Sequence, residues 1–265
     1  MTLPGTQPGT QPGTQPGTQP GTQPGSQNGV MRKAFAELIG TMLLVASVVG
    51  SGIAASRLSP GDRGLQLLEN ALITGAVLVA LILALGPVSA AFNPVVTLVE
   101  RALGAVTTRD AAVFIGAQVV GGCLGSVLAN VMFDLSVVNI SQHERSAGAL
   151  WLGEVVATFG LLVVIFGVAR SGKSAHVAYA VGGYITAAYW FTSSTSFANP
   201  AVTIARTLSD SFAGIAPSSV PMFVLMQVLG AALALGAVLV LYPRAADLAV
   251  ELTHLSVDER VRATA

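Results

Sequence analysis

Two Asn-Pro dipeptides, Asn93-Pro94 and Asn199-Pro200, are the residues of this sequence best suited to form a polar site. Asn is a strong helix N-cap and Pro is favoured at the first helical position, so each dipeptide predicts a helix start. Each carboxamide can present an NH2 donor to a passing hydroxyl or water oxygen. No nucleophile arrangement, Gly-rich phosphate motif or metal-ligand cluster is present in the sequence, so we expect no enzyme, no cofactor and no metal.

The apolar segment after each dipeptide is too short to cross a membrane. These segments cover 93–103 and 199–208, and ten helical residues reach about 15 Å, or half of a hydrocarbon core of about 30 Å. Irregular backbone at membrane depth is tolerated only where it is buried in protein or lines a water-filled cavity. We therefore predict two re-entrant half-helices whose N-termini meet beside a pore. Their converging positive dipole ends would oppose cations and protons but not neutral molecules.

The composition is that of a membrane protein. Hydrophobic residues make up 52% of the chain and charged residues 10%, which leaves too little polar surface for a soluble domain. The zero net charge and the absence of a Lys/Arg-rich run exclude a nucleic-acid partner. We predict an all-α fold with six spans, of which the fifth is barely long enough. The spans cover 33–55, 66–86, 112–133, 148–169, 175–192 and 219–242.

Three pieces of the first half recur in the same order in the second half, which indicates an internal repeat. They are the start of the first span, the Asn-Pro segment and the start of the third span. The matched pairs are Glu37 and Glu154, Thr41 and Thr158, Asn93 and Asn199, and Gln118 and Gln227. Because each half holds three spans, an odd number, the second copy must enter the membrane from the opposite side.

Two of these pairs are candidate supports of the site. Glu37 and Glu154 are intramembrane carboxylates, which are functional candidates by default. Their symmetric placement favours a role in holding the backbone of a half-helix loop, and direct pore lining is the alternative. Gln118 and Gln227 would form hydrogen bonds between helices.

The ends of the chain differ from its centre. Residues 1–30 contain TQPG five times in succession and few apolar side chains, which predicts a disordered tail and no cleavable signal. The membrane domain would cover 31–243, with repeat halves at about 32–133 and 148–243, and a C-terminal tail would cover 244–265. The distribution of Lys and Arg among the loops favours cytoplasmic termini. We expect the protein to lie in the plasma (inner) membrane.

The repeated motifs resemble those of the aquaporin or major intrinsic protein family over about residues 32–243. The resemblance rests on the two Asn-Pro boxes, the Ala-Glu start of the first span and the Gln-Val-Val-Gly of the third. It implies a passive channel for water and small neutral solutes in a lipid bilayer, with a pore in every subunit of a homotetramer. The implied pore boxes are Asn93, Pro94, Val95, Asn199, Pro200 and Ala201.

The sequence departs from the family pattern where the outer selectivity filter is expected. Family members usually carry Arg directly after the second box, but here that position is Val202. The other filter positions correspond to Thr74, Tyr189 and either Ser196 or Thr195. Such a ring would be wider than one built from Phe, His and Arg. The Val-Thr-Ile-Ala-Arg continuation also resembles a bacterial branch associated with arsenic, so we expect metalloid hydroxides such as arsenous acid ahead of glycerol or urea.

Several alternatives stay open. Arg206, one helical turn after Val202, could replace the missing filter Arg, but pairing with Asp210 or capping of loop carbonyls is favoured. His143 in a predicted loop favours a surface role over a pH gate. A strict water channel, a sealed pore and an ion-coupled transporter are the rival functions. The transporter would need protonatable groups at the substrate site beyond the two intramembrane glutamates.

Overall fold

The computed structural model describes residues 27–242, and all regular elements in this range are helical. The eight α-helices of the described range are α1 (Gln27–Leu58), α2 (Arg63–Leu85), α3 (Pro94–Ala102), α4 (Thr108–Met132), α5 (Gly148–Arg170), α6 (Val177–Phe191), α7 (Pro200–Ala205) and α8 (Val220–Leu241). The TQPG repeats and the C-terminal tail lie outside the described residues. α1 begins inside the stretch assigned to the N-terminal tail, because the helix-breaking Pro and Gly repeats end at residue 25.

Five of the six predicted spans form helices that are long and apolar enough to cross a membrane: α1, α2, α4, α5 and α8. The remaining one, the fifth in chain order, is α6, which has 15 residues and follows a 3-10 turn at Ser174–His176. The two short segments also form helices, α3 and α7, and a 3-10 turn at Arg206–Leu208 extends α7. The predicted architecture of membrane helices with two half-helices is therefore confirmed.

Two glycines related by the repeat let the helices of each half pack closely. A Cβ atom on Gly121 of α4 would lie 2.2 Å from the carbonyl oxygen of Leu38 in α1, and one on Gly230 of α8 would lie 2.6 Å from that of Val155 in α5. No larger residue fits at either crossing without moving backbone. The close approach brings Gln118 and Gln227, three residues earlier on α4 and α8, next to the intramembrane glutamates.

A third crossing joins the two halves of the chain. α2 of the first half packs against α6 of the second, and Gly75 and Gly182 face each other there. A Cβ atom on Gly75 would lie 2.9 Å from the carbonyl oxygen of Gly182, and one on Gly182 would lie 2.6 Å from that of Gly75. This contact places Thr74 of α2 beside Tyr189 of α6.

The loop between α4 and α5, residues 133–147, is bonded to the segment that follows α7. The N–H groups of Asn139 and Ser141 donate to the carbonyls of Leu208 and Thr207, at 3.0 and 2.9 Å. Further along, the N–H of Ala216 donates to the carbonyl of a loop residue, His143, at 2.8 Å. Backbone bonds therefore fix this long loop over one end of the helix bundle.

Candidate functional site

A cavity of about 680 Å³ runs through the helix bundle and is lined by the asparagine of each Asn-Pro box. Lys33 in the first turns of α1 lines one end of the cavity, and Arg206 lines the other. Arg63 lies just beyond the far end of α1, and it lines a second cavity together with Arg206. Lys33 and Arg206 are therefore near opposite ends of α1, so the two ends of the large cavity lie on opposite sides of the bundle. Asn93 and Asn199 line its middle.

The two asparagines are bonded to each other's loop. Nδ2 of Asn93 donates to the carbonyl of Ala198 at 2.8 Å, and Nδ2 of Asn199 donates to the carbonyl of Phe92 at 2.7 Å. Each Oδ1 atom caps its own half-helix by accepting from backbone N–H groups. Oδ1 of Asn93 accepts from the N–H of Val95 in α3 at 3.1 Å, and Oδ1 of Asn199 accepts from the first two N–H groups of α7. One hydrogen of each NH2 group is used across the repeat, which leaves the other for the cavity.

The residue before each asparagine adopts a strained backbone conformation. Phe92 and Ala198 both have φ of 48°, in the left-handed region that side chains other than glycine rarely adopt. Such strain costs on the order of 1–3 kcal/mol and persists only where surrounding contacts enforce it. Here it turns each carbonyl toward the asparagine of the other half.

Glu37 supplies the enforcing contacts in the first half. Its Oε1 accepts from the N–H of Ala91 at 2.9 Å and from the hydroxyl of Ser89. Its Oε2 accepts from the N–H of Phe92 at 2.7 Å and from Nε2 of Gln118 at 2.8 Å. The carboxylate is fully buried, does not line the cavity and holds the loop that leads into α3.

Glu154 makes the same contacts in the second half. Its Oε1 accepts from the N–H of Phe197, and its Oε2 from that of Ala198, both at 2.9 Å. Nε2 of Gln227 also donates to Oε2, at 2.6 Å. This carboxylate too is buried away from the cavity, so both glutamates position loop backbone and neither contacts a solute in the pore.

The glutamines connect each glutamate to its half-helix. Nε2 of Gln118 donates to the hydroxyl of Thr97 at 3.0 Å, and that hydroxyl donates to the carbonyl of Asn93 at 3.3 Å. In the second half Nε2 of Gln227 makes the equivalent bond to Thr203 at 2.8 Å. The membrane interior thus contains two matching polar networks.

The proposed filter residues line the cavity between the asparagines and Arg206. The hydroxyl oxygens of Thr74 and Tyr189 are 3.1 Å apart, and Thr74 also donates to the carbonyl of Asn70 at 2.8 Å. Val202 and Ser196 line the same cavity. The hydroxyl of Ser196 is buried and has no hydrogen-bond partner among the described residues.

Arg206 caps a loop at the end of the cavity opposite Lys33. Its Nε donates to the carbonyl of Ala213, and the guanidinium carbon lies 3.5 Å from the ring centroid of Phe197. Asp210, the expected partner at i+4, instead accepts from the N–H of Gln142 at 3.0 Å. Of the alternatives drawn from the sequence, the structure therefore shows carbonyl capping.

Sequence reasoning missed Asn70, which is buried in α2 one turn before Thr74. Its Nδ2 donates to the carbonyl of Val48 at 2.9 Å and to the hydroxyl of Ser51 at 2.8 Å. Its carbonyl oxygen accepts from Thr74, so Asn70 joins α1 to the filter. A polar amide inside an apolar span was the available signal.

Comparisons with known proteins agree with this geometry. The family model described as major intrinsic protein matches residues 25–187. The chain is 50% identical to aquaglyceroporin AqpS of Rhizobium meliloti (strain 1021) over 205 residues, 77% of this chain and 87% of the relative. It is 28% identical to aquaporin NIP1-2 of Arabidopsis thaliana over 155 residues, 54% of this chain and 51% of the relative.

A solved structure gives the same fold. The X-ray structure of the aquaglyceroporin from Plasmodium falciparum matches with a TM-score of 0.64, covering 82% of this chain and 98% of that one. Sequence identity is 18%, so this likeness concerns the fold alone.

Proposed function

The chain belongs to the major intrinsic protein family, and on that premise we propose that it is a passive channel whose solutes include neutral molecules larger than water. Members of this family are channels and not enzymes. Arsenous acid and similar metalloid hydroxides stand first among the proposed solutes, followed by glycerol and urea, and water passes as well. The similarity to a protein named an aquaglyceroporin supports a range that extends beyond water.

The observation that carries the proposal is Val202 in the first turn of α7. Its side chain is buried and lines the cavity together with Thr74 and Tyr189, where the family resemblance places a filter Arg. A valine neither narrows the passage as a long guanidinium side chain does nor adds a charge. The ring then combines hydroxyl groups with an apolar wall, which suits a compact solute that carries several hydroxyls.

Charge exclusion is proposed to arise at the midplane. Each half-helix N-terminus carries roughly half a positive charge, and the two ends converge on Asn93 and Asn199, which opposes cations and protons. Apolar side chains such as Val48, Leu78 and Ile185 line much of the cavity and offer no ligands to an ion that has lost its water. Neutral solutes are not repelled by the dipoles and have no ionic hydration shell to lose. They can also accept hydrogen bonds from the remaining amide hydrogens of Asn93 and Asn199.

The assembly is proposed to be a homotetramer in the plasma membrane with both termini in the cytoplasm. The cavity is formed within one chain, so each subunit would hold its own pore. Large apolar side chains are exposed on the outer faces of the helices, for example Leu72, Val131 and Leu233, and these faces are available to lipid or to neighbouring subunits.

Solute flux into proteoliposomes tests the proposal. Light scattering or tracer uptake is measured for water, glycerol, urea and arsenous acid with the wild type, Val202→Arg and the near-isosteric control Val202→Thr. We expect Val202→Arg to lower flux of the larger solutes by at least about tenfold, with a smaller effect on water. The long arginine side chain would narrow the filter, and a narrower filter excludes larger solutes before it excludes water. Val202→Thr should keep the wild-type order of solutes.

Two results would overturn the proposal. Water flux by the wild type without flux of any larger neutral solute would make the protein a strict water channel. Uptake that accumulates solute against its gradient and depends on an ion gradient would make it a coupled transporter.

A further inference from the structure

A second cavity, of about 420 Å³, lies at the outer end of the pore. Three arginines from three separate segments line it: Arg63 at the start of α2, Arg145 in the α4–α5 loop and Arg206 after α7. Arg206 lines both this cavity and the pore, so the two spaces adjoin at its guanidinium. Three cationic side chains therefore lie around the pore mouth, together with one acidic side chain, Glu144.

The charge of Arg206 is buried without an opposite charge bonded to it. The residue is 2% exposed, its Nε bonds to the neutral carbonyl of Ala213, and its guanidinium lies on the neutral ring of Phe197. The two terminal NH2 groups have no acceptor among the described residues. A buried charge is normally paired, because desolvation without compensation is costly.

Arg145 brings a second guanidinium group to the same place. Its Nε donates to the carbonyl of Gly214 at 3.0 Å, and its guanidinium carbon lies 5.0 Å from the centroid of the same Phe197 ring. Its backbone N–H donates to the hydroxyl of Ser219 at 2.9 Å, which fixes this part of the loop. Two guanidinium groups are thus held against one ring, although like charges repel.

Glu154 attracts Arg145 and Arg206 through space, but no nearby carboxylate among the described residues forms a hydrogen bond to Arg63, Arg145 or Arg206. Glu154 accepts from two backbone N–H groups and from Gln227, and Asp210 accepts from the N–H of Gln142. Glu144 lines the outer cavity but makes no hydrogen bond to any of the three arginines. The terminal guanidinium donors of Arg206 and Arg145 are left for a group that is not part of the described chain.

We propose that the outer cavity is a binding site for one small monovalent anion, of the class of chloride, nitrate or a short carboxylate. Such an anion would accept charge-assisted hydrogen bonds from Arg206 and Arg145. Arg63, whose side chain is exposed, would contribute attraction at the rim. Binding is separate from the choice of neutral solute and can be measured without flux.

Chloride is the probe for the test. Purified full-length protein in a non-ionic detergent is titrated with chloride, and binding is read from excess broadening of the chloride NMR line, which nitrate or formate should reverse. The variants are Arg145→Gln, Arg206→Gln and Arg63→Gln. The matched control is Arg57→Gln, since Arg57 lies at the same end of the bundle, in the last turn of α1, but bonds to the carbonyl of Phe133 and does not line the cavity.

We expect Arg145→Gln and Arg206→Gln each to weaken chloride binding roughly tenfold, through loss of charge-assisted bonds, and Arg63→Gln to weaken it less. Arg57→Gln should bind as the wild type does. The proposal is overturned if the wild type broadens the line no more than Arg145→Gln does, or if Arg57→Gln reduces binding equally. Gel filtration shows whether each variant is folded, and Arg145→Gln decides the matter if Arg206→Gln is not.

Discussion

The hydroxyl oxygens of Thr74 and Tyr189 lie 3.1 Å apart, on helices from opposite halves of the chain. Because the single proton of Thr74 is donated to the carbonyl of Asn70, Tyr189 must be the donor in this pair. Each side chain is thus held against the pore wall by the other half of the molecule. The filter width depends on how closely α2 and α6 approach.

Enlarging Thr74 should close the filter to larger solutes first. Thr74→Phe adds a ring to the buried wall of the cavity, and we expect flux of glycerol and arsenous acid to fall about tenfold or more, with a smaller loss for water. Thr74→Val is the control, because it removes the hydroxyl without adding volume. Proteoliposome flux measures both, and equal losses for water and glycerol in Thr74→Phe would contradict a size filter.

Replacing Glu154 with its amide should destabilise the second loop. In Glu154→Gln an NH2 group meets one of the two backbone donors, of Phe197 or Ala198, that the carboxylate now satisfies. A buried donor left without an acceptor costs about 1–3 kcal/mol, so the free energy of unfolding should fall by that amount. Denaturant unfolding in detergent measures it, and Glu144→Gln on the outer loop is the control. An unchanged unfolding midpoint would refute the loop-holding role.

Placing a negative charge at the midplane should weaken the cation barrier. Asn199→Asp keeps an N-capping oxygen but loses the donor to Phe92 and sets a carboxylate against the converging dipoles. Asn199→Ser also caps and also loses that donor, without adding charge. We expect proton or potassium leak in vesicles with Asn199→Asp only. Comparable leak in both variants would show that the broken bond, not the charge, matters.

The outer loop should respond to acid through His143. Burial lowers the pKa of His143, and the charge of Arg145 lowers it further, against an opposing effect of Asp210. We expect NMR titration of histidine-labelled protein to give a pKa below the ordinary histidine value. Removing the nearest cation with Arg145→Gln should raise that pKa, whereas Arg57→Gln should not move it.

The direction of the stability effect follows from the same shift. Because the folded pKa lies below the unfolded one, the unfolded loop binds the proton more readily, and the folded loop loses stability as the pH falls through the ordinary histidine range. The backbone N–H groups of Ser141 and Ala216 should therefore lose protection against hydrogen exchange at acid pH, when their rates are compared with the intrinsic rates at the same pH. Protection that stays the same between neutral and acid pH, after correction for the slower intrinsic exchange in acid, would argue against this coupling.

Much of the fold could be predicted from the sequence, because the signals are local. Hydrophobic length marks the spans, Asn-Pro marks the half-helix starts, and the odd number of spans in each half fixes the inversion. The role of Glu37 followed from its matched position in the repeat. These inferences need only the order of residues along one chain.

Other features depend on contacts between distant segments. Left-handed φ values at Phe92 and Ala198 carry no composition signal, since neither residue is glycine. The shared use of the Phe197 ring by Arg145 and Arg206 requires the α4–α5 loop to fold back over the segment after α7. Only the three-dimensional arrangement shows that these residues meet.

The reciprocal bonds from Asn93 to Ala198 and from Asn199 to Phe92 have a consequence for biosynthesis. When the first half leaves the ribosome, the amide of Asn93 and the carbonyl of Phe92 still lack their partners, which are about a hundred residues away in unsynthesised chain. Within the bilayer such unpaired groups are costly. The amide of Asn93 and the carbonyl of Phe92 must therefore stay hydrated, or be shielded by the insertion machinery, until the second Asn-Pro box has been synthesised.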